Sequence, residues 1–473
     1  MSPVVLTGST LTLEDVIAVA RSGAQVELDP AAREAMAAAR AVVDRSIANG
    51  TPAYGVTTGV GSRKVFDVAA DGHDRLLVRQ HRISQGAPVA SEVVRAAALR
   101  LANALARATT GARPELATHL VAALNADRLP EIRTLGSIGQ SDLAQMADLA
   151  DGVLGDDFEL ARGEAIALLN QSAFATGYAA LAFADALVLL DVFDHAGALD
   201  LEALGANRNS VHPAIGDARP YPGLQSSLAR LGSLLEGSEV MARDLQDPLT
   251  FRTIAQQNGA ARDALTFVGS QFAIELNAAQ SNPLVVVAED RVISVGNFEM
   301  QPLATALDIA RLALAPMIST AAERAVKLLQ RNLTGLTEGL GARPALAESA
   351  LSEYGIAIQA IAVEARLLAQ PVSFDLVSTT QAEGIEDRMT MAPLAARRLA
   401  EMVDLGARVA AIELVIAAQA VDLRGPPELG AGTGRAHALV RERVPFTDAG
   451  EAVPPDLEPV ADLVRSGEIA YGS

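Results

Sequence analysis

Apolar residues recur along most of this chain at the three-to-four-residue spacing of an α-helix, and polar interruptions mark where successive helices begin and end. Thr12, followed by Asp15 and then by Val16, Ile17 and Ala20, predicts an N-capped helix with one apolar face. Asp29-Pro30 opens a second, with Ala32, Met36, Ala39 and Val43 on one stripe and proline at the first helical position, where no amide hydrogen is needed. The same spacing predicts helices over residues 74–85, 89–109, 113–126, 141–154, 162–194 and 221–244, then over 272–278, 301–329, 346–368 and 392–423. Pro316 is expected to kink the helix that contains it. Apolar residues on several faces of the long helices predict cover all round, as in a helix bundle and in an oligomer. Two apolar runs, 284–287 and 292–295, joined by Ala288-Glu-Asp-Arg291, predict one hairpin. The expected fold class is mainly α, a helix bundle with a small β excursion.

Composition supports this class: half the residues are apolar, only 3% are aromatic and none is tryptophan, which favours helix over strand. No linker, repeat or low-complexity tract divides the 473 residues. The expectation is one continuous helical body, with an N-terminal helical domain over 1–200 and a long-helix domain over 201–473. A net charge of −19 without any basic run argues against nucleic acid or anionic membrane as partner and leaves a small molecule as the expected ligand. The absence of cysteine excludes disulfides, thiolate metal sites and thiol catalysis and fits a reducing compartment. The first residues lack the basic region and apolar core of a signal peptide, so a cytoplasmic location is expected. The uncharged run 165–184 approaches membrane length, but Asn170, Gln171 and Ser172 interrupt it, and a buried helix of a soluble protein is expected instead. Six histidines show no metal-binding spacing, and no metal is expected. Gly430-Ala-Gly-Thr-Gly434 lacks the residues of a phosphate loop and is read as a turn.

Four places carry candidate chemistry. Tyr54-Gly-Val-Thr-Thr-Gly-Val-Gly61 is a glycine-rich loop that permits close approach to a ligand. Its tyrosine serves as a base only if cations, dipoles or hydrogen bonds lower the phenol pKa; otherwise it is a packing residue. Arg252, shortly after Gln246-Asp247, offers a planar fork for a carboxylate, the alternative being an ordinary salt bridge. Asn170 and Asn277 suit a substrate carboxylate or amine, or else are buried amides satisfied by protein alone.

These segments fall in a recognisable order. Tyr54-Gly-Val-Thr-Thr-Gly, Gly136-Ser-Ile-Gly, Asp142-Leu-Ala and Glu164-Ala-Ile-Ala-Leu-Leu-Asn170 come first. Gln246-Asp-Pro-Leu-Thr-Phe-Arg252 with Gln256 and Gly259, Glu275-Leu-Asn277, Asn282-Pro-Leu284 and Gly296-Asn-Phe298 follow. Together they resemble the aromatic amino acid lyase superfamily of histidine and phenylalanine ammonia-lyases. The resemblance implies a mostly helical subunit on a long central bundle, a homotetramer with active sites shared between chains, and Tyr54 as the base.

Departures fall at the chemistry. The family carries Ala-Ser-Gly before Asp-Leu and cyclises it into an electrophilic methylidene-imidazolone, whereas Gln140-Ser141 stands before Asp142 here, one residue short. No such prosthetic group is therefore expected, a pattern that resembles the ergothionase branch. Leu249 occupies the place of the second catalytic tyrosine, and Gln85 that of a histidine in histidine-specific members. Glu299 stands where histidine usually follows Asn-Phe, and Ile385-Glu386-Asp387 replaces Gln-Glu-Asp.

The deletion has a chemical reading. An amino acid carries ammonium protons far more acidic than its β-carbon proton, and covalent capture by the electrophile overcomes that handicap. A quaternary trimethylammonium has no such proton and leaves as a neutral amine. The expected activity is thus a carbon–nitrogen lyase, independent of the prosthetic group, that eliminates an activated amine from an aromatic or heterocyclic betaine to give an acrylate. Glu299, Glu386 and Asp142 are candidates to face the cation, and Phe298 and Phe374 to add aromatic surface, unless they are structural. Two alternatives stay open: a conventional histidine or aromatic amino acid ammonia-lyase whose cyclised tripeptide is written as one letter at Ser141, and an inactive paralogue kept as a scaffold.

Overall fold

The computed structural model describes residues 2–68, 72–344, 347–373, 381–425 and 428–471. It is 62% helix and 5% strand, the mainly α class expected. Thr12 caps Leu13–Ser22 by accepting from the Asp15 amide, and Asp15 returns the bond in a capping box. Asp29 likewise caps Pro30–Ala48 through the Ala32 amide. The long helices are Ala173–Leu204, Ile254–Glu275, Gln301–Leu328 and Ala392–Arg424. Pro316 lies within Gln301–Leu328, which continues through it.

Compact units do not follow a single cut near residue 200. One comprises Met1–Ala184, Gly269–Asp308 and Pro371–Arg397, and the other Asp185–Val268, Ile309–Gln370 and Arg398–Ser473. The division is discontinuous because several segment boundaries fall inside long helices rather than in linkers.

In the first unit, Ser91–Ala106 is buried at every position from Ala96 to Ala106. Two of these are polar and have work inside the core. Arg100 donates to the carbonyls of Glu275 (3.0 Å) and Ala278 (2.6 Å), and Asn103 to that of Leu276 (2.9 Å), satisfying acceptors that the end of Ile254–Glu275 leaves unpaired. The expected hairpin forms from Leu284–Val286 and Arg291–Ile293, with Leu284 opposite Ile293 and Val285 opposite Val292. Val285 packs with Ala39, Val42, Val43, Ala53 and Val56, so one apolar cluster holds both the hairpin and the start of the Tyr54 loop.

Several local features differ from expectation, among them the helix expected over 272–278, which is Ile254–Glu275, and that expected over 221–244, which is Pro222–Leu234. The helix expected over 74–85 is His73–Gln80, and Gln85–Pro88 pairs instead with Arg133–Leu135; Pro88 and the left-handed Gly86 do not continue a helix. Val4–Leu6 pairs in parallel with Val26–Leu28, strands too short for an alternating pattern to announce. The helix expected over 162–194 is two, Glu164–Leu169 and Ala173–Leu204, separated by Asn170, Gln171 and Ser172. The most apolar window of Glu164–Leu204 is 78% buried inside the protein. Lastly, the glycines after 430 belong to the helix Ala431–Arg443, where Gly432 allows close packing: a Cβ there would lie 2.3 Å from Leu234 Cδ2.

In the second unit, Arg324, Asp200 and Glu413 meet with essentially no exposure. Arg324 donates to Asp200 (2.7 Å) and Glu413 (2.6 Å), leaving two carboxyl groups for one cation. Burial and the neighbouring Glu413 carboxylate push the Asp200 pKa well above the usual range.

Candidate active site

The first unit contains a cavity of about 530 Å³. Tyr54 and Lys64 contribute one part of its wall, Gln140 and Asn170 another, and Glu299 and Glu386 a third. Gly55, at φ +68°, shapes the tyrosine loop: a Cβ there would sit 2.9 Å from Ile166 Cγ1. The Tyr54 hydroxyl oxygen accepts from the Gly61 amide at 2.8 Å. Burial raises the phenol pKa, the Gly61 bond opposes that rise, and the nearby Glu386 adds to it. Tyr54 is thus a neutral phenol at physiological pH in the isolated chain.

The segment before Asp142 is firmly tied. Ile138 O accepts from the amides of Thr390 (3.1 Å) and Met391 (3.0 Å), and the Thr390 hydroxyl donates to Gly139 O at 2.6 Å. Gly139 has φ +80°, and a Cβ there would lie 2.3 Å from Thr390 Oγ1. Ser141 is also left-handed, at φ +61°. Its buried hydroxyl donates to Asn170 Oδ1, while Asn170 Nδ2 donates to Asn282 O at 2.9 Å. These bonds hold the chain open at the break after Leu169 and put Asn170 on the cavity.

Asp142 has a different place. Its amide donates to Gln171 O (2.8 Å), and its carboxyl accepts from the Ala175 amide and the Ser137 hydroxyl, both at 2.7 Å. It is fully buried and caps the first turn of Ala173–Leu204, away from the cavity lining. Burial pushes its pKa up to about 6, against the two hydrogen bonds. The expectation that Asp142 faces a bound cation gives way to this capping role.

Glu299 anchors the polar wall. Arg388 Nε donates to Glu299 Oε2 at 2.6 Å, Gln140 Nε2 to the same oxygen at 3.1 Å, and the Gln301 amide to Oε1 at 2.9 Å. Arg388 also donates to Gln301 Oε1 at 3.1 Å. Partial burial pushes the Glu299 pKa up, but Arg388, Gln140 and the Gln301 amide outweigh it, and the group is held below the ordinary glutamate range. Glu386 and Asp387 line the cavity as exposed carboxylates.

Residues 11–158 and 156–442 match the model of the aromatic amino acid lyases. Histidine ammonia-lyase of Symbiobacterium thermophilum is 35% identical over 98% of this chain and 96% of its own. The chain belongs to the aromatic amino acid lyase family. Histidine ammonia-lyase of Myxococcus xanthus is 33% identical over 98% of this lyase and 97% of its own length. Among solved structures, ergothionase from Treponema denticola, in complex with desmethyl-ergothioneine sulfonic acid, superposes with a TM-score of 0.93. It is 26% identical, with 99% of this chain and 100% of that one covered. Tyrosine aminomutase from Streptomyces globisporus gives 0.92 at 27% identity, covering 99% and 97%.

Gln85, Asn277, Leu249 and Arg252 of this lyase fall outside the lining. Gln85 is exposed on its strand and donates to Ile83 O at 3.3 Å. Asn277 exchanges hydrogen bonds with the Leu11 backbone, both at 2.9 Å, and accepts from Asn103. Its amide is thereby committed to structure. Leu249 and Arg252 lie in the second unit, on the short helix Leu249–Arg252. Arg252 donates to Gln246 Oε1 at 3.4 Å, and its buried Nε has no partner among the described residues. Phe298 lines the cavity; Phe374 lies outside the described residues. Lys64, His81, Asn282 and Arg388 also line it and were not singled out from sequence. Only Lys64 carries a compositional signal, being one of two lysines among 38 basic residues.

Proposed function

We propose that this lyase works without a methylidene-imidazolone, eliminating trimethylamine or a similarly activated amine from an aromatic or heterocyclic amino-acid-derived betaine and leaving an acrylate. The observation that carries this reading is the commitment of the Gln140-Ser141-Asp142 segment to structure. Ring closure across Ser141 would use the Asp142 amide nitrogen, which donates to Gln171 O at 2.8 Å and belongs to a residue whose side chain caps a helix. The Ser141 hydroxyl is bonded to Asn170. These residues do not fit the family's group.

Elimination then requires three things: a base for the β-carbon proton, a site for the carboxylate, and a leaving group that departs unaided. As the base takes the proton, the C–H electron pair becomes the new C=C bond, and the C–N pair leaves with the amine. Tyr54 is the base in this scheme. Its raised pKa suits a cationic substrate, because a quaternary ammonium in the cavity stabilises the phenolate and lowers that pKa on arrival. In a cytoplasmic homotetramer with shared sites, Arg252 of a second copy binds the carboxylate, and Asn170 and Glu386 face the substrate. The likeness to the Treponema denticola enzyme, whose substrate is ergothioneine, supports this class.

A panel of amino acids and their trimethylbetaines, followed by ultraviolet absorbance of the acrylate and by amine release, tests the proposal. Betaines react and plain amino acids do not; Tyr54→Phe abolishes turnover and leaves the assembly intact. Ammonia from unmodified histidine or phenylalanine overturns the scheme. The identity to histidine ammonia-lyases favours that second reading, which requires the purified chain's intact mass to depart from the encoded one.

A further inference from the structure

We infer that Gln140 is a specificity-determining residue whose side-chain carbonyl receives the positive head of the substrate, and that Arg388 is the positioning residue that turns it that way. The inference rests on the cavity being the lyase site and adds how that site chooses its substrate. An amide side chain presents two unlike ends, and the partner of one end determines which end remains. Glu299, held as a carboxylate by Arg388 at 2.6 Å and by the Gln301 amide at 2.9 Å, only accepts. Gln140 therefore offers it the NH₂ end, Nε2 to Oε2 at 3.1 Å. A backbone bridge between residues 140 and 299 fixes the same pairing.

The end left over is Oε1, which accepts no hydrogen bond among the described residues, on a side chain that lines the cavity. Arg388 compensates the Glu299 charge, so the wall at this point presents the negative end of a dipole rather than an uncompensated carboxylate. A family member with the intact tripeptide meets its substrate amine with an electrophile at this segment. Here the segment offers the opposite polarity, an acceptor suited to a positive group with no lone pair. Were Arg388 absent, Glu299 would lose the partner that holds its Oε2 against Gln140, and nothing would keep the amide turned one way.

The test is binding of choline against its neutral isostere 3,3-dimethylbutan-1-ol, measured by calorimetry on the assembled full-length protein. Wild type prefers the cation. Gln140→Met, similar in length and without the carbonyl, reduces that preference by about tenfold, the factor worth about 1.4 kcal/mol, and leaves binding of the alcohol unchanged. Arg388→Met reduces the preference similarly, and Arg388→Lys restores most of it, a pattern that a merely structural arginine does not produce. An unchanged preference in Gln140→Met, or none in wild type, overturns the inference. The betaine panel separates this from the proposed reaction. Elimination with an unaltered KM in Gln140→Met rejects the role of Gln140 alone, and a Gln140-dependent preference without elimination rejects the reaction alone.

Discussion

Replacing Asp142 by asparagine should remove a pH-dependent cost that the wild-type fold carries. Asp142 is fully buried, and its pKa rises from 3.8 to about 6 because burial outweighs the bonds from Ala175 and Ser137. An acid whose folded pKa is raised contributes stability that is fully present below about 3.8 and is lost as pH rises through about 6. At about 1.4 kcal/mol per pH unit, the whole loss is about 3 kcal/mol. Asparagine keeps the shape, offers Oδ1 to the Ala175 amide and turns its NH₂ to the Ser137 oxygen, but does not titrate. Asp142→Asn should therefore gain about 2 to 3 kcal/mol on wild type between pH 4 and pH 8. Urea-induced unfolding of both proteins across that range reads the difference directly. Parallel pH profiles for the two would refute the reasoning, because they would show that Asp142 titrates alike folded and unfolded.

Arg324→Met strands two buried carboxyl groups, Asp200 and Glu413, without their cation, and should cost about 3 to 5 kcal/mol in denaturant unfolding at neutral pH. A loss below about 1 kcal/mol would mean that the cluster is neutral without arginine. Gly139→Ala places a methyl 2.3 Å from Thr390 Oγ1 at φ +80° and should lower stability by about 2 to 3 kcal/mol. Gly23→Ala, at φ +68° with nothing within 4 Å, is the control and should cost about 1 kcal/mol. Equal melting shifts for the two would show that strain, not the Thr390 contact, is what Gly139 relieves.

Ala173–Leu204, Gln301–Leu328 and Ala392–Arg424 were legible because their apolar residues recur over many turns, and the hairpin because two apolar runs flank a polar turn, whereas Ile254–Glu275 was expected only over 272–278. The break after Leu169 was not. Its cause is a set of contacts from Asn170 to Ser141 and to Asn282 O, 112 positions away, and neither glycine nor proline marks it. The three-residue strands were equally silent, being too short to show a period of two. Tyr54 was visible from its loop, and its raised pKa was not, since burial and Glu386 create it in space. Asp142 and Arg388 show the same limit from opposite sides. Asp142 looked available to a ligand and is spent on a helix end, whereas Arg388 drew no notice until Glu299, 89 positions earlier, was found against it.

The discontinuity of the cavity-bearing unit has a consequence for how the molecule is made. The Tyr54 loop leaves the ribosome early, but the partners of Ile138 and Gly139 at Thr390 and Met391, and the cation of Glu299 at Arg388, are among the late residues translated. No nascent chain that stops short of them has a finished wall, however well its first helices have folded. Maturation of the site thus waits for the segment 388–391, and a product released before that segment would be a helical body with an incomplete chamber.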